Sequence, residues 1–139
     1  MSDTQNTQVV KDAYAAFGRG DVNGILALVD DNVDWQAVKG TEGVLPTAGQ
    51  RRGRKAVGEF FSQVASTIAF DMFEPREFVA QGDTVVAIGQ YEGKSKETGR
   101  PFSSDWVMVF TLTNGKITRF REFADSAALV RAFGKTASV

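Results

Sequence analysis

The chain contains no cysteine and no histidine. The first absence removes disulfides, thiol nucleophiles and thiolate metal sites. The second removes Ser-His and Cys-His catalytic arrangements, imidazole bases and nearly all zinc and non-haem iron sites. Acid–base chemistry must therefore run on Asp, Glu, Tyr, Lys or arginine-assisted water. A magnesium or calcium site would need clustered carboxylates. Asp30-Asp31 is the one close acidic pair, and it reads as the solvated end of a helix. No metal or organic cofactor is expected.

A charge bias is also missing. The formal net charge is -1, which gives no global pull toward nucleic acid or an anionic membrane. The apolar runs are far too short to span a bilayer. The first residues, MSDTQNTQ, are polar and do not read as a signal peptide. The expectation is a cytoplasmic protein with neither nucleic acid nor membrane as partner. Its 139 residues match one domain, 1–139.

What is present is a core. The chain is 42% hydrophobic, and eleven phenylalanines supply much of the bulk. Val9, Val10, Ala13, Tyr14 and Phe17 repeat at helical spacing within Thr7 to Gly18. Asp21 is placed to cap a second helix, Val22 to Asp30. Asn32 to Ala37 alternates as a short strand with Val33 and Trp35 on one face. Lys39 to Gly53 lacks periodicity and reads as a long loop, with Gly40 to Gly53 a candidate lid. A third helix, Arg54 to Ile68, carries the stripe Val57, Phe60, Phe61, Val64 and Ile68. Arg51, Arg52, Arg54 and Lys55 at its start could clamp an anion or simply face solvent.

Phe70 to Gln81 reads as a strand whose Pro75 demands an edge or a bulge. Thr84 to Gly93 follows, and its interior Gly89 marks a bend or a close approach. Asp125-Ser126 is placed to cap a short helix, Ala127 to Phe133, and the tail Gly134 to Val139 reads as frayed. The order implies an α+β domain: a curved, mostly antiparallel sheet with the helices on one face.

The last hairpin, Ser104 to Asp125, decides which side chains share a wall. Asn114-Gly115 between two alternating runs is a hairpin turn. A two-residue loop pairs Thr113 with Lys116 and groups Asp105, Val107 and Val109 with Phe120, Glu122 and Ala124. A three-residue loop pairs Leu112 with Lys116. It groups Trp106, Met108, Phe110 and Leu112 with Thr118, Phe120, Glu122 and Ala124. The second collects the large apolar residues on one face, so it is the expected register. It leaves one carboxylate, Glu122, on an apolar wall opposite Trp106.

Four stretches carry a family resemblance: VVKDAYAAFGRGDVNGILALVDDNVDW, GRKAVGEFF, FVAQGDTVVAIGQYEG and VFTLTNGKITRFREFAD. Together they resemble the SnoaL-like, ketosteroid-isomerase-related members of the nuclear-transport-factor-2-like superfamily. The resemblance implies a cone, in which the sheet wraps three N-terminal helices around a deep apolar pocket. It also implies a homodimer formed through the sheet. Function varies widely on this fold. Ketosteroid isomerase uses a Tyr, an Asp base and a protonated Asp; the resemblance places Ala13, Trp35 and Met108 at those positions. Activity by that mechanism is therefore not expected. Limonene epoxide hydrolase uses an Asp-Arg-Asp set. Arg121, Asp105 and Asp125 are available here, but the expected register points Arg121 and Asp105 away from the pocket.

The expected pocket wall is Trp35, Trp106, Met108, Phe110, Phe120 and Ala124, joined by Phe17 and Phe60 from the helices. Tyr14 and Tyr91 are candidate polar companions. Glu122 is the candidate catalytic group, because desolvation against aromatic walls lifts a carboxyl toward neutrality. The function expected is binding of a small apolar molecule, with cofactor-free proton transfer or water addition at Glu122. The alternative is a non-catalytic ligand-binding or dimerisation module.

Overall fold

The computed structural model describes residues 2–134. The elements are α1 (Asp3–Gly18), α2 (Val22–Leu26), β1 (Val29–Ala37), β2 (Gly49–Arg52) and α3 (Arg54–Thr67), followed by β3 (Ile68–Gln81), β4 (Thr84–Ser95), β5 (Pro101–Thr113), β6 (Lys116–Ala124) and α4 (Ser126–Phe133). The six strands form one curved sheet in the order β2-β1-β6-β5-β4-β3. Every pair is antiparallel except β1 with β6. This is the expected α+β class. Among the described residues no helix is long and apolar enough to cross a membrane. The tail beyond residue 134 lies outside the described residues.

Local chemistry explains most boundaries. Ser2 and Gln5 form a capping box, so α1 begins four residues before the expected Thr7. Asp21 caps α2 as expected, by accepting from the Gly24 N–H at 2.9 Å. The helix is shorter than expected. Asp30 does not end it; its carboxylate accepts from the Asn32 N–H, a local bond that competes with helix. Val29 and Val33 are instead fully buried strand residues.

The stretch Lys39 to Gly53 is likewise not one long loop. Its last residues are β2, paired along β1 from Ala37–Gly49 to Asp34–Arg52. The turns before it bury Thr41, Leu45 and Thr47, so this segment is wall rather than free lid. Of the basic residues beside it, Arg52 and Lys55 are exposed, while Arg51 and Arg54 are bound by the protein itself. Arg51 donates to the Thr47 carbonyl and to Gln63, and its guanidinium lies over the Phe60 ring. Arg54 pairs with Asp31 at 2.7 Å and donates to the Val29 carbonyl.

Pro75 meets both halves of its expectation. It lies on the edge strand β3, and the register shifts between Pro75 and Glu77. Gly89 is a close approach. It pairs with Pro75 on one side and Trp106 on the other. A side chain there would collide with the Trp106 ring and the Glu74 carbonyl.

The final hairpin corrects the expected register. The turn is the two-residue one: Thr113 pairs with Lys116, and Asn114 and Gly115 both have positive φ. The register then shifts between Thr111 and Leu112, so Leu112 pairs with Ile117 but Thr111 with Arg119. The two-residue turn sets Ile117 inward opposite Leu112, where Thr118 was expected, and the bulge returns Phe120 to the inner face opposite Phe110. Beyond it, Trp106, Met108 and Phe110 share the inner face with Phe120, Glu122 and Ala124, as expected. Glu122, however, stands opposite Met108, and Trp106 stands opposite Ala124.

Replacing Gly89 with alanine should cost roughly 1–3 kcal/mol, because neither the Glu74 carbonyl nor the packed indole can retreat freely. Urea unfolding of Gly89→Ala measures it; an unchanged midpoint would contradict the packing described.

Candidate functional site

The inner face of the sheet is built in rows, one residue per strand. Ala87, Met108 and Glu122 form one row, with the small Ala87 leaving space beside the thioether. Val85, Phe110, Phe120 and Trp35 form the next, where Trp35 stacks on Phe120 with ring centroids 4.0 Å apart. The row of Gly89, Trp106 and Ala124 is different. Its two small residues let the indole lie down over Gly89.

These rows and the helices enclose a cavity of about 90 Å³, room for several waters, since one needs about 10–15 Å³. Tyr14 and Phe17 reach it from α1, and Phe60, Phe61 and Val64 from α3. Trp35, Tyr91, Met108, Phe110, Phe120 and Glu122 line it from the sheet. Ala13 also lines it, so all three positions where the resemblance puts isomerase catalytic groups face this space. Sequence reasoning missed Leu45, Thr47, Leu129 and Phe133, which close it from the segment before β2 and from α4. The burial-period pattern of α4 was a usable signal; nothing in the sequence around Leu45 marks it.

Trp106 and Ala124 are corrections. Neither lines the cavity. Trp106 is only 1% exposed and packs beneath Tyr14, Phe73 and Tyr91. It is floor material, spread flat because Gly89 has no side chain. Arg121 points outward, as expected, and binds Asp34 at 2.8 Å on the opposite face. Asp125 caps α4 by accepting from the Ala128 N–H.

Glu122 is the one ionisable acid on this wall besides the tyrosines. It is 6% exposed. Tyr91 reaches across Trp106 and donates its hydroxyl proton to Glu122 Oε2 at 3.0 Å. Oε1 accepts no hydrogen bond among the described residues. Nor is it one of the fully enclosed orphan atoms, which are Asn6 Oδ1, Trp35 Nε1, Arg54 Nε and Trp106 Nε1. It opens onto the cavity. The second tyrosine, Tyr14, donates its proton to the Met108 sulfur at 3.0 Å.

Burial pushes the Glu122 carboxyl up to about 7, although the Tyr91 hydrogen bond pulls the other way. Both tyrosines are raised far above the ordinary phenol value, first by burial and then by the nearby carboxylate. They stay neutral at any working pH. No arginine or lysine lines the cavity to offset the Glu122 charge. Among the described residues no three metal-ligating side chains converge.

The sequence from residue 10 to residue 120 matches the SnoaL-like domain model. The chain belongs to the SnoaL-like family. Its membership places it in the nuclear-transport-factor-2-like superfamily, as the fold does. A nuclear-transport-factor-2-like protein from Burkholderia xenovorans LB400 is 39% identical, with a TM-score of 0.87 over 96% of this chain and 99% of that one. A protein of unknown function from Burkholderia pseudomallei K96243 is 28% identical, with a TM-score of 0.84 over 96% and 99%. TerC, co-crystallised with polyporic acid, is 29% identical, with a TM-score of 0.81 over 93% and 98%. No curated protein matches the chain.

The raised carboxyl makes a stability prediction. Unfolding returns Glu122 to an ordinary value near 4.5. Between about 4.5 and 7 the folded state then holds a proton that the unfolded chain has lost. This contribution to stability is full below the unfolded value and is lost as pH rises through the folded one. The stability of the wild type relative to Glu122→Gln should fall by about 3 kcal/mol from pH 4 to pH 8. Urea unfolding of both proteins at several pH values reads this; parallel pH profiles would contradict it.

Proposed function

We propose that this protein binds a small, largely apolar molecule in the cone cavity and exchanges a proton with it through Glu122. One observation carries the reading: a lone carboxyl in an aromatic-walled cavity, with one oxygen fixed by Tyr91 and the other open. A carboxyl poised near 7 serves as general acid or base at neutral pH. Proton transfer within the ligand, or addition of water to it, needs no further group. The 29%-identical TerC was co-crystallised with polyporic acid, which supports a small-molecule ligand for this fold.

The rival reading is a carrier, which binds and does not turn over. The apolar residues Ala13, Trp35 and Met108 favour it, because they leave Glu122 without a second carboxyl on the wall. A second copy as partner belongs to the same proposal. Outward rows of Glu77, Ile88, Val107, Phe123 and of Val79, Val86, Val109, Arg121 put an apolar centre, Ile88, Val107, Phe123, Val79, Val86 and Val109, between a Glu and an Arg on the sheet's outer face. Val79 and Phe123 are its exposed large hydrophobic side chains, at 59% and 43%. Light scattering should give a dimeric mass, and a monomeric one would overturn that part.

A thermal-shift screen against aromatic quinones, polyketide-like aromatics, terpenoid epoxides and hydrophobic acids tests the binding. A ligand at a hundred times its Kd should add about 2.7 kcal/mol. For a ligand that turns over, Glu122→Gln should keep binding and lose turnover at least 100-fold, about 2.7 kcal/mol of transition-state stabilisation. Normal turnover by that variant would sink the acid–base role.

A further inference from the structure

With Glu122 ionised, the carboxyl end of the cavity offers hydrogen-bond acceptors and few free donors. The Tyr91 hydroxyl proton is committed to Glu122 Oε2. The Tyr14 hydroxyl proton is committed to the Met108 sulfur. What this end leaves for a ligand is therefore Glu122 Oε1, and the other polar side chain on the wall besides the tyrosines is the Thr47 hydroxyl. The Trp35 N–H is fully enclosed and has no partner. A carboxylate arriving here would bring a second negative charge, and a carbonyl would need the protonated form of Glu122 as its donor.

The rest of the wall is aromatic. Rings from the helices and the sheet surround the carboxyl, and no arginine or lysine side chain lines the space. Aromatic faces attract a cation, and the attraction grows when water is excluded. An anion would meet repulsion from Glu122 and no compensating charge.

We propose that the ligand of this cavity carries a basic nitrogen: a hydrophobic primary or secondary amine whose ammonium group donates to Glu122 Oε1 while its apolar part lies among the rings. This rests on the reading that the cavity is a ligand site. It adds the chemical class. The ammonium supplies both the charge and the donors that the site lacks. The proton that Glu122 exchanges is then shared with the nitrogen.

The pH dependence separates this class from the others, and its sign is opposite for an acceptor ligand. A cation binds the ionised carboxylate. Its affinity should rise roughly tenfold from pH 6 to pH 8, as Glu122 ionises around 7 while an alkylamine stays protonated. A ketone binds the protonated carboxyl, and its affinity should fall over the same range. The groups facing Glu122 are Tyr91 from β4, Tyr14 from α1 and the uncharged Met108 from β5; neither phenol ionises in this range. α3, β1 and α4 present no charged group to the cavity. The chain has no histidine to add a second transition.

The experiment is isothermal titration calorimetry with 4-phenylbutylamine, 4-phenylbutan-1-ol, 4-phenylbutan-2-one and 4-phenylbutyrate at pH 6, 7 and 8. The amine should bind at least tenfold more tightly than the alcohol at pH 8. Glu122→Gln should erase that preference and keep the alcohol's affinity. Tyr91→Phe removes the donor that favours the ionised form, so it should move the amine's pH midpoint upward. It also serves if Glu122→Gln does not fold. If the ketone, alcohol or acid binds and the amine binds no better, the amine class is wrong while the cavity remains a ligand site. If no probe of any class binds, the ligand-site reading itself falls and this inference with it.

Discussion

The hydrogen bond from Tyr91 to Glu122 spans the inner face of the sheet and sets the chemistry of the cavity. Leaving a carboxyl among aromatic rings is costly unless it is neutralised or bonded. Here both happen in part. Tyr91 holds one oxygen, and burial lifts the carboxyl into the range where it is half protonated at neutral pH. A hydrogen bond to a charged group contributes about 1.5–3 kcal/mol, too little to restore an ordinary acid. The fold tolerates the remaining cost because the open oxygen faces space and not packed hydrocarbon.

Much of the architecture serves to hold these two side chains across three strands. Trp106 lies between them in projection, and it lies flat because Gly89 and Ala124 flank it. An upright indole would occupy the space that Tyr91 crosses. Met108, directly opposite Glu122, takes the Tyr14 proton. A thioether is a weak acceptor, so that contact locates Tyr14 without adding charge near the acid. Arg121, next to Glu122 in sequence, points to the other face and is bound by Asp34, which keeps a potential counter-ion out of the cavity.

The sequence carried the element types well, because they depend on local signals. The α3 stripe, the Pro75 irregularity and the Asp21 and Asp125 caps each follow from a few neighbouring residues. The hairpin was different. Its inner face came out as expected through a different path: a two-residue turn followed by a bulge reaches the same alternation as a three-residue turn. Only Ile117, an apolar residue at a position expected to face outward, hinted at the bulge. The Tyr91–Glu122 bond was not legible, since it joins residues from non-adjacent strands. The flat pose of Trp106 was equally hidden, because alternation gives a side chain's face and not its tilt. Leu45 and Thr47 entered the wall through turns that carry no periodicity.

The measurement that tests the central claim most directly is a carbon-13 NMR titration of the Glu122 side-chain carboxyl in the ligand-free protein. A midpoint near 7, moving higher in Tyr91→Phe, is the result this account predicts. A midpoint in the ordinary glutamate range, unchanged by Tyr91→Phe, would mean that water or a counter-ion reaches the carboxyl freely. The picture of a poised acid in a closed aromatic cavity would then be wrong.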